Sequence, residues 1–138
     1  MRSRILIADD EKLKLVTLHD ALTKRGYQVE ECEDGESAWA CMERGRYDIV
    51  VTDLRLPKVD GLELLRRIRR DYPETAVILM TAYGTIHTAV AAMKAGAADY
   101  LLKPFPSEDL LLLLRGLFAS RPRLEEPGPR PASVLQLG

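Results

Sequence analysis

Short, uniformly apolar runs alternate along this chain with longer stretches of helical periodicity, and this alternation constrains the fold most. The runs are too short for helices and too apolar for strands with one wet face, so they predict buried parallel strands at residues 5–8, 49–51, 77–80 and 100–102. A fifth candidate strand, Gln28–Cys32, is more polar. Its polarity indicates a strand at the edge of the sheet.

Helical patterns separate these strands, and we predict helices at residues 12–25, 36–44, 62–72, 85–95 and 107–118. Glycine or proline follows the first four, as expected at helix ends. Five βα repeats with right-handed crossovers predict an α/β fold with a five-stranded parallel sheet, a doubly wound (βα)5 three-layer sandwich. The polar second strand favours the flavodoxin-like order 2-1-3-4-5 over a closed barrel.

Length and composition indicate one domain followed by a tail. The chain has 138 residues, of which 46% are hydrophobic, enough for a continuous core without metal or disulfide staples. We expect this domain to span residues 1–120. From Arg121 the chain is rich in proline and arginine, so residues 121–138 are interpreted as a Pro-rich linker or disordered tail.

Charge and cysteine usage limit the class of protein. The net charge of −1 gives no electrostatic basis for direct nucleic-acid binding by this domain. The apolar run at residues 5–8 is too short for a signal peptide, and nothing approaches a membrane span. Cys32 and Cys41 lie nine positions apart, without metal-ligand spacing, and are interpreted as core residues of a reduced protein. We therefore predict a cytoplasmic location.

Polar residues stand where the buried runs end. Asp9 and Asp10 come directly after the first run, Asp53 comes one residue past the third strand, Thr81 directly follows the fourth, and Lys103 directly follows the fifth. The carboxyl ends of parallel strands meet at one edge of the sheet, where open α/β sheets bind their ligands. We therefore expect these side chains to converge.

Three converging carboxylates require a positive partner. Two of them about 4 Å apart repel by on the order of 4 kcal/mol at an effective dielectric near 20. A few oxygen ligands with room for water suit Mg²⁺, whereas Ca²⁺ requires a richer oxygen cage. Thr81 supplies a hydroxyl donor and Lys103 a point charge, and phosphoryl transfer needs mainly such positioning and charge neutralisation. A carboxylate is a competent phosphoryl acceptor.

These residues resemble, in order, type and spacing, the receiver domain of bacterial two-component response regulators. The resemblance covers residues 3–120 and rests on four motifs: Asp9-Asp10, Asp53 in Asp-Leu-Arg-Leu-Pro-Lys-Val-Asp-Gly, Thr81-Ala82, and Lys103-Pro104-Phe105. Residues 84–97 resemble receivers of the nitrogen-regulation class of activators.

The resemblance assigns a role to each site residue. It implies that Asp53 is the phosphoacceptor, and that Asp10 and Asp53 bind Mg²⁺ directly. Asp9 would bind the ion largely through water. The backbone carbonyl of Arg55 would be the other protein ligand of Mg²⁺. Gly61 is expected to relieve backbone strain before the third helix.

The resemblance has further implications for signalling. Thr81 would hydrogen-bond the phosphoryl group, Lys103 would pair with it, and Tyr100 would act as an aromatic switch that turns inward. A sensor histidine kinase or phosphotransfer protein would phosphorylate Asp53, with homodimerisation on activation and an output such as transcription. The domain would not be an enzyme, since it would catalyse only its own phosphorylation and slow self-dephosphorylation.

The fourth helix, fifth strand and fifth helix would form the face that changes. The fourth helix is mostly alanine, with Ile86, Val90 and Met93 as its larger anchors, so we expect it to be easily displaced. The fifth helix has five consecutive leucines at residues 110–114, and a helix on a sheet hides only part of its circumference. An exposed apolar patch is therefore expected on the fifth helix.

Three alternatives remain at this point. A phosphatase with an aspartyl nucleophile would want a second acid two residues after Asp53, where Arg55 stands. A flavodoxin-like cofactor binder would want a glycine-rich or hydroxyl-rich loop after the first strand, where Asp9, Asp10 and Glu11 repel phosphate unless a cation intervenes. The third alternative is a receiver-like interaction module that works without phosphorylation.

Overall fold

The computed structural model describes residues 3–120 as five successive βα units. The strands are β1 (Arg4–Ala8), β2 (Gln28–Cys32), β3 (Ile49–Asp53), β4 (Ala76–Thr81) and β5 (Asp99–Leu102). The helices are α1 (Lys12–Thr23), α2 (Gly35–Arg44), α3 (Gly61–Asp71), α4 (Ile86–Lys94) and α5 (Ser107–Ser120). The segment interpreted as a linker, residues 121–138, lies outside the described residues.

All strand pairs are parallel, and the sheet order is β2-β1-β3-β4-β5. This confirms the predicted α/β fold, the sheet order and the edge position of the polar strand. Alternate residues of the central strands point to opposite faces, so each face carries its own apolar cluster. Side chains of α1 and α5 complete one cluster, and those of α2, α3 and α4 complete the other.

Side-chain caps decide where two helices begin. The Asp34 carboxylate accepts a hydrogen bond from Ser37 N at 2.7 Å, and Asp60 Oδ1 accepts one from Glu63 N at 2.9 Å. Each aspartate satisfies a backbone donor in the first turn, which otherwise has no partner within the helix. As a result α2 and α3 begin at glycines, one residue before the predicted starts.

Gly61 is required for a different reason from the one predicted. It is the first residue of α3, and the left-handed backbone in the preceding loop belongs to Lys58, with φ of 72°. A Cβ atom on Gly61 would lie 2.1 Å from the backbone oxygen of Asp53 and 2.8 Å from Leu54 Cα. The expected strain relief was therefore wrong, and the glycine is needed because α3 starts in contact with the end of β3.

We predict opposite stability effects for two glycine-to-alanine substitutions. Gly61→Ala should lower the free energy of unfolding by about 2 kcal/mol, because backbone atoms must move to accept the Cβ. Gly116→Ala should raise it by about 0.5 kcal/mol, because this exposed α5 glycine has nothing within 4 Å of the new atom and alanine favours a helix. Urea unfolding measures both, and equal effects would contradict the contact argument.

The apolar side chains of α4 and α5 differ from expectation. Ile86, Val90 and Met93 are 86%, 46% and 48% exposed, so they do not anchor α4. Within α4, which the structure describes in full, the one fully buried residue is Ala92. The helix lies on the sheet through small residues, and its larger side chains occupy the opposite stripe, because positions 86, 90 and 93 repeat with helical spacing.

The leucine run of α5 is mostly buried. Leu110, Leu111 and Leu114 face the core, and Leu112 is the member with a largely exposed side chain. Phe118 stacks on Tyr27, with ring centroids 5.5 Å apart, which holds the end of this helix against the domain. The expected apolar patch on α5 is therefore reduced to Leu112, and further exposed apolar side chains lie on α1, α4 and β5. No helix within residues 3–120 is long and apolar enough to cross a membrane.

Candidate functional site

The carboxyl edge of the sheet brings the predicted polar residues together. Asp9 directly follows β1, and Lys103 directly follows β5, as predicted. Asp53 and Thr81 are the last residues of β3 and β4 rather than the residues after them. Asp53 is paired in register with Met80, the neighbour of Thr81, so these two strand ends lie side by side.

The ammonium group of Lys103 joins the acids of two strands. Its Nζ lies 2.7 Å from Asp9 Oδ2 and 2.7 Å from Asp53 Oδ2. It also lies 3.3 Å from Glu11 Oε1. Glu11 was not among the predicted site residues, although its position directly after the two aspartates was a usable signal. The three contacts fix the ammonium between β1 and β3.

Burial and ion pairing act in opposite directions on the charged forms of these groups. Asp9 is fully buried, and the side chains of Asp53 and Lys103 are 9% and 7% exposed. Burial raises the pKa of Asp9 above its ordinary value, although the hydrogen bonds from Lys103 and from the Glu11 backbone oppose this. Burial alone would lower the pKa of Lys103, but the hydrogen bonds to Asp53 and Asp9 outweigh it and raise the pKa. Lys103 is therefore held as a cation.

Asp9, Asp10 and Asp53 form a group of acids able to hold a metal ion. One carboxylate oxygen from each lies within 4.8 Å of the others. Asp9 and Asp53 are buried, whereas Asp10 is exposed. The backbone N–H of Glu11 donates to Asp9 Oδ1 at 2.9 Å, and that of Arg55 donates to Asp53 Oδ1 at 3.1 Å. These bonds orient the two buried carboxylates.

A cleft of about 370 Å³ opens over this group of acids. Its lining comprises Asp10, Glu11, Asp53, Arg55, Ala82, Tyr83 and Lys103. The guanidinium carbon of Arg55 lies 4.2 Å from the centre of the Tyr83 ring, a cation–π contact across two loops. The cleft thus combines an acidic floor, an ammonium and an aromatic rim, with room for a small anion.

Thr81 and Tyr100 lie along a path from this cleft to α4. Thr81 is fully buried, and its Oγ1 accepts a hydrogen bond from Tyr83 N at 3.0 Å. The Tyr100 hydroxyl lies 2.7 Å from Thr88 Oγ1 on α4. Tyr100 is partly buried and packs against the cluster beneath α2, α3 and α4. Its role as a switch stays a prediction.

The profile of the response regulator receiver domain matches residues 5–115. The chain belongs to this family. The receiver domain is 39% identical over 130 residues to the response regulator protein FleR of Pseudomonas aeruginosa, covering 94% of this chain and 28% of FleR. It is 40% identical over 131 residues to the transcriptional regulatory protein TcrA of Mycobacterium tuberculosis, covering 95% of this chain and 50% of TcrA. It therefore spans half or less of these relatives.

Solved receiver domains have the same fold. A CheY-like receiver domain protein from Methanospirillum hungatei JF-1 superimposes with a TM-score of 0.83 at 29% identity, covering 86% of this chain and 95% of the other. The beryllofluoride-activated NtrC4 receiver domain, solved as a dimer, gives a TM-score of 0.80 at 31% identity, covering 84% and 96%. The resemblance to two-component receivers is confirmed, and it is favoured over a flavodoxin-like cofactor binder or a phosphatase.

Proposed function

We propose that this receiver domain accepts a phosphoryl group on Asp53 in a Mg²⁺-dependent reaction and transmits the event to an output. The 2.7 Å contact between Lys103 Nζ and Asp53 Oδ2, inside an acidic cleft, carries the proposal. A sensor histidine kinase or phosphotransfer protein would be the donor. Control of transcription is the proposed output, since TcrA is named a transcriptional regulatory protein.

The donor set fits Mg²⁺. The ligands within reach are carboxylate oxygens, and the exposed side of Asp10 leaves room for water, which this ion retains. Asp10 and Asp53 would hold it directly, Asp9 largely through water, and the backbone carbonyl of Arg55 would be the remaining protein ligand. When bound, the ion would neutralise the carboxylates and the phosphoryl oxygens.

The side chains of this cleft suit phosphoryl transfer. A carboxylate oxygen of Asp53 would form a bond to phosphorus while the bond from phosphorus to the donor nitrogen or oxygen breaks. The Lys103 ammonium would pair with the Asp53 carboxylate before the transfer and with a phosphoryl oxygen after it. Thr81 would turn its hydroxyl to donate a hydrogen bond to another phosphoryl oxygen. In this view the domain catalyses its own phosphorylation and slow dephosphorylation and turns over no other substrate.

The turn of the Thr81 hydroxyl would also affect the surface of the domain at α4. If Thr81 turns toward the phosphoryl group, the N–H of Tyr83 loses its acceptor. The loop before α4 would then rearrange, and Tyr100, hydrogen-bonded to Thr88, would follow. Because α4 is held mainly through small side chains, a shift of the α4, β5 and α5 face has a low cost, and homodimerisation through this face is our proposal.

Intact-mass measurement tests the function. The receiver domain, incubated with acetyl phosphate and Mg²⁺, should gain about 80 Da, the mass of one phosphoryl group. Chelating Mg²⁺ with EDTA should prevent the gain, because the acidic cluster then repels the donor. Borohydride reduction of the acyl phosphate and peptide mapping should locate it at Asp53. No gain under any of these conditions would leave the phosphorylation-independent interaction module as the better reading.

The contact between Arg55 and Tyr83 leads to a kinetic prediction. Both side chains line the cleft, and their cation–π contact favours the arrangement that covers it against water. Such a contact contributes about 0.5–1 kcal/mol, so Arg55→Ala should speed phosphoryl loss by about two- to fivefold. The decay of the phosphorylated mass after donor removal measures this. Arg66→Ala, which replaces an exposed arginine of α3, is the control and should leave the decay unchanged.

A further inference from the structure

The two cysteines form a buried pair at the end of β2, next to Asp9 at the end of β1. Cys32 ends β2 and Cys41 lies in α2, and their Sγ atoms are 3.5 Å apart. The two residues are 6% and 8% exposed. A disulfide requires about 2.05 Å between the sulfur atoms, so a local adjustment of β2 against α2 would allow the bond.

The surroundings of the two sulfurs differ. The Arg44 guanidinium, one turn further along α2, donates a hydrogen bond from Nη2 to Cys41 Sγ at 3.4 Å. Cys41 Sγ therefore has a cationic hydrogen-bond donor against it. Cys32 supplies the second thiol, with its Sγ 3.5 Å from Cys41 Sγ. The pair therefore has the arrangement of an attacking and a resolving cysteine.

We propose that Cys32 and Cys41 are a redox modification site that forms a reversible intramolecular disulfide on exposure to peroxide. Cys41 loses its thiol proton and its sulfur attacks a peroxide oxygen; the O–O bond breaks, giving a sulfenic acid and hydroxide, which takes up the released proton as water. The Cys32 thiol then attacks the Cys41 sulfur, the S–O bond breaks, and water leaves. In sum two thiols and one hydrogen peroxide give one disulfide and two waters.

The position of the pair gives the bond a structural consequence. The Cys32 carbonyl accepts a hydrogen bond from the backbone N–H of Asp9 at 3.1 Å. A disulfide would fasten the end of β2 to α2 beside this contact. In reducing compartments disulfides of this kind are transient and redox-sensing.

Thiol counting on the full chain tests the proposal with hydrogen peroxide as the probe. When it is denatured in the presence of N-ethylmaleimide, the reduced protein should take up two labels and the peroxide-treated protein none. Peroxide-treated protein that is then incubated with dithiothreitol should again take up two labels. Peptide mapping without reduction should find the 32–41 crosslink, with a mass loss of about 2 Da for the two hydrogens.

Cys32→Ser and Cys41→Ser are matched controls, and each should retain one labelled thiol or gain oxygen on it, without the crosslink. Two labels remaining after peroxide treatment would overturn the proposal. So would a crosslink between two chains, or sulfinic acid on Cys41 in the wild-type protein. Mapping of the wild type decides the result even if a serine variant fails to fold.

Discussion

Replacing Asp53 by asparagine is expected to abolish the mass gain from acetyl phosphate and Mg²⁺. The amide has no carboxylate oxygen to form the bond to phosphorus, so the loss should be complete rather than partial. Asparagine has nearly the shape of aspartate, and Lys103 keeps its 2.7 Å contact with Asp9 Oδ2. The fold should therefore survive, and circular dichroism would verify this.

Asp71→Asn provides the matched control. It makes the same chemical change at an exposed carboxylate on α3, whose partner is the neighbouring Arg70. Intact-mass spectra should show the full phosphoryl gain for this variant. A persistent gain in Asp53→Asn would mean that another carboxylate accepts the group and that the acceptor assignment is wrong.

The second large effect is expected from Lys103→Met. Methionine removes the charge and leaves Asp9 and Asp53 close together without their cation. Losing one partner of a buried ion pair costs about 3–5 kcal/mol, and we expect a decrease of about 3 kcal/mol in the free energy of unfolding. Urea unfolding in EDTA measures it. Added Mg²⁺ should recover part of the loss, because the ion would neutralise the same carboxylates.

Lys24→Met is the control for this experiment. Lys24 pairs with Asp20 at 3.2 Å, but both side chains are mostly exposed, and surface pairs contribute about 0–1 kcal/mol. The free energy of unfolding of Lys24→Met should therefore differ little from that of the wild type. If Lys103→Met were no more destabilising than Lys24→Met, the buried pairing would not contribute to stability as the geometry indicates.

The fold could be predicted because the buried strands appear in the sequence as short apolar runs. Strand β3 has five consecutive buried residues, and the first three, residues 49–51, appear in the sequence as an unbroken apolar run. Helix α4 shows the limit of the same reasoning. Periodicity identified its apolar stripe of Ile86, Val90 and Met93 but not which side of the helix faces the sheet. Its alanines pack inward instead, a choice made by tertiary contacts.

From the sequence we could predict that the site residues at the strand ends converge. Parallel strands place their carboxyl ends on one edge, so the convergence of Asp9, Asp53 and Lys103 followed from order alone. Contacts that depend on side-chain reach did not follow. The approach of Glu11 to Lys103 and the placement of Arg55 over Tyr83 depend on how loops fold back across the cleft. The close contact of Gly61 with the Asp53 carbonyl is of the same kind.

The polar edge strand has a consequence for how copies of this domain meet. Glu30 and Glu31 are exposed on β2, the outermost strand on its side of the sheet. If two copies aligned along this strand, adjacent carboxylates would face each other across the new ladder, and like charges disfavour such pairing. Strand addition on that flank is therefore disfavoured, which is compatible with the proposed homodimerisation through the α4, β5 and α5 face.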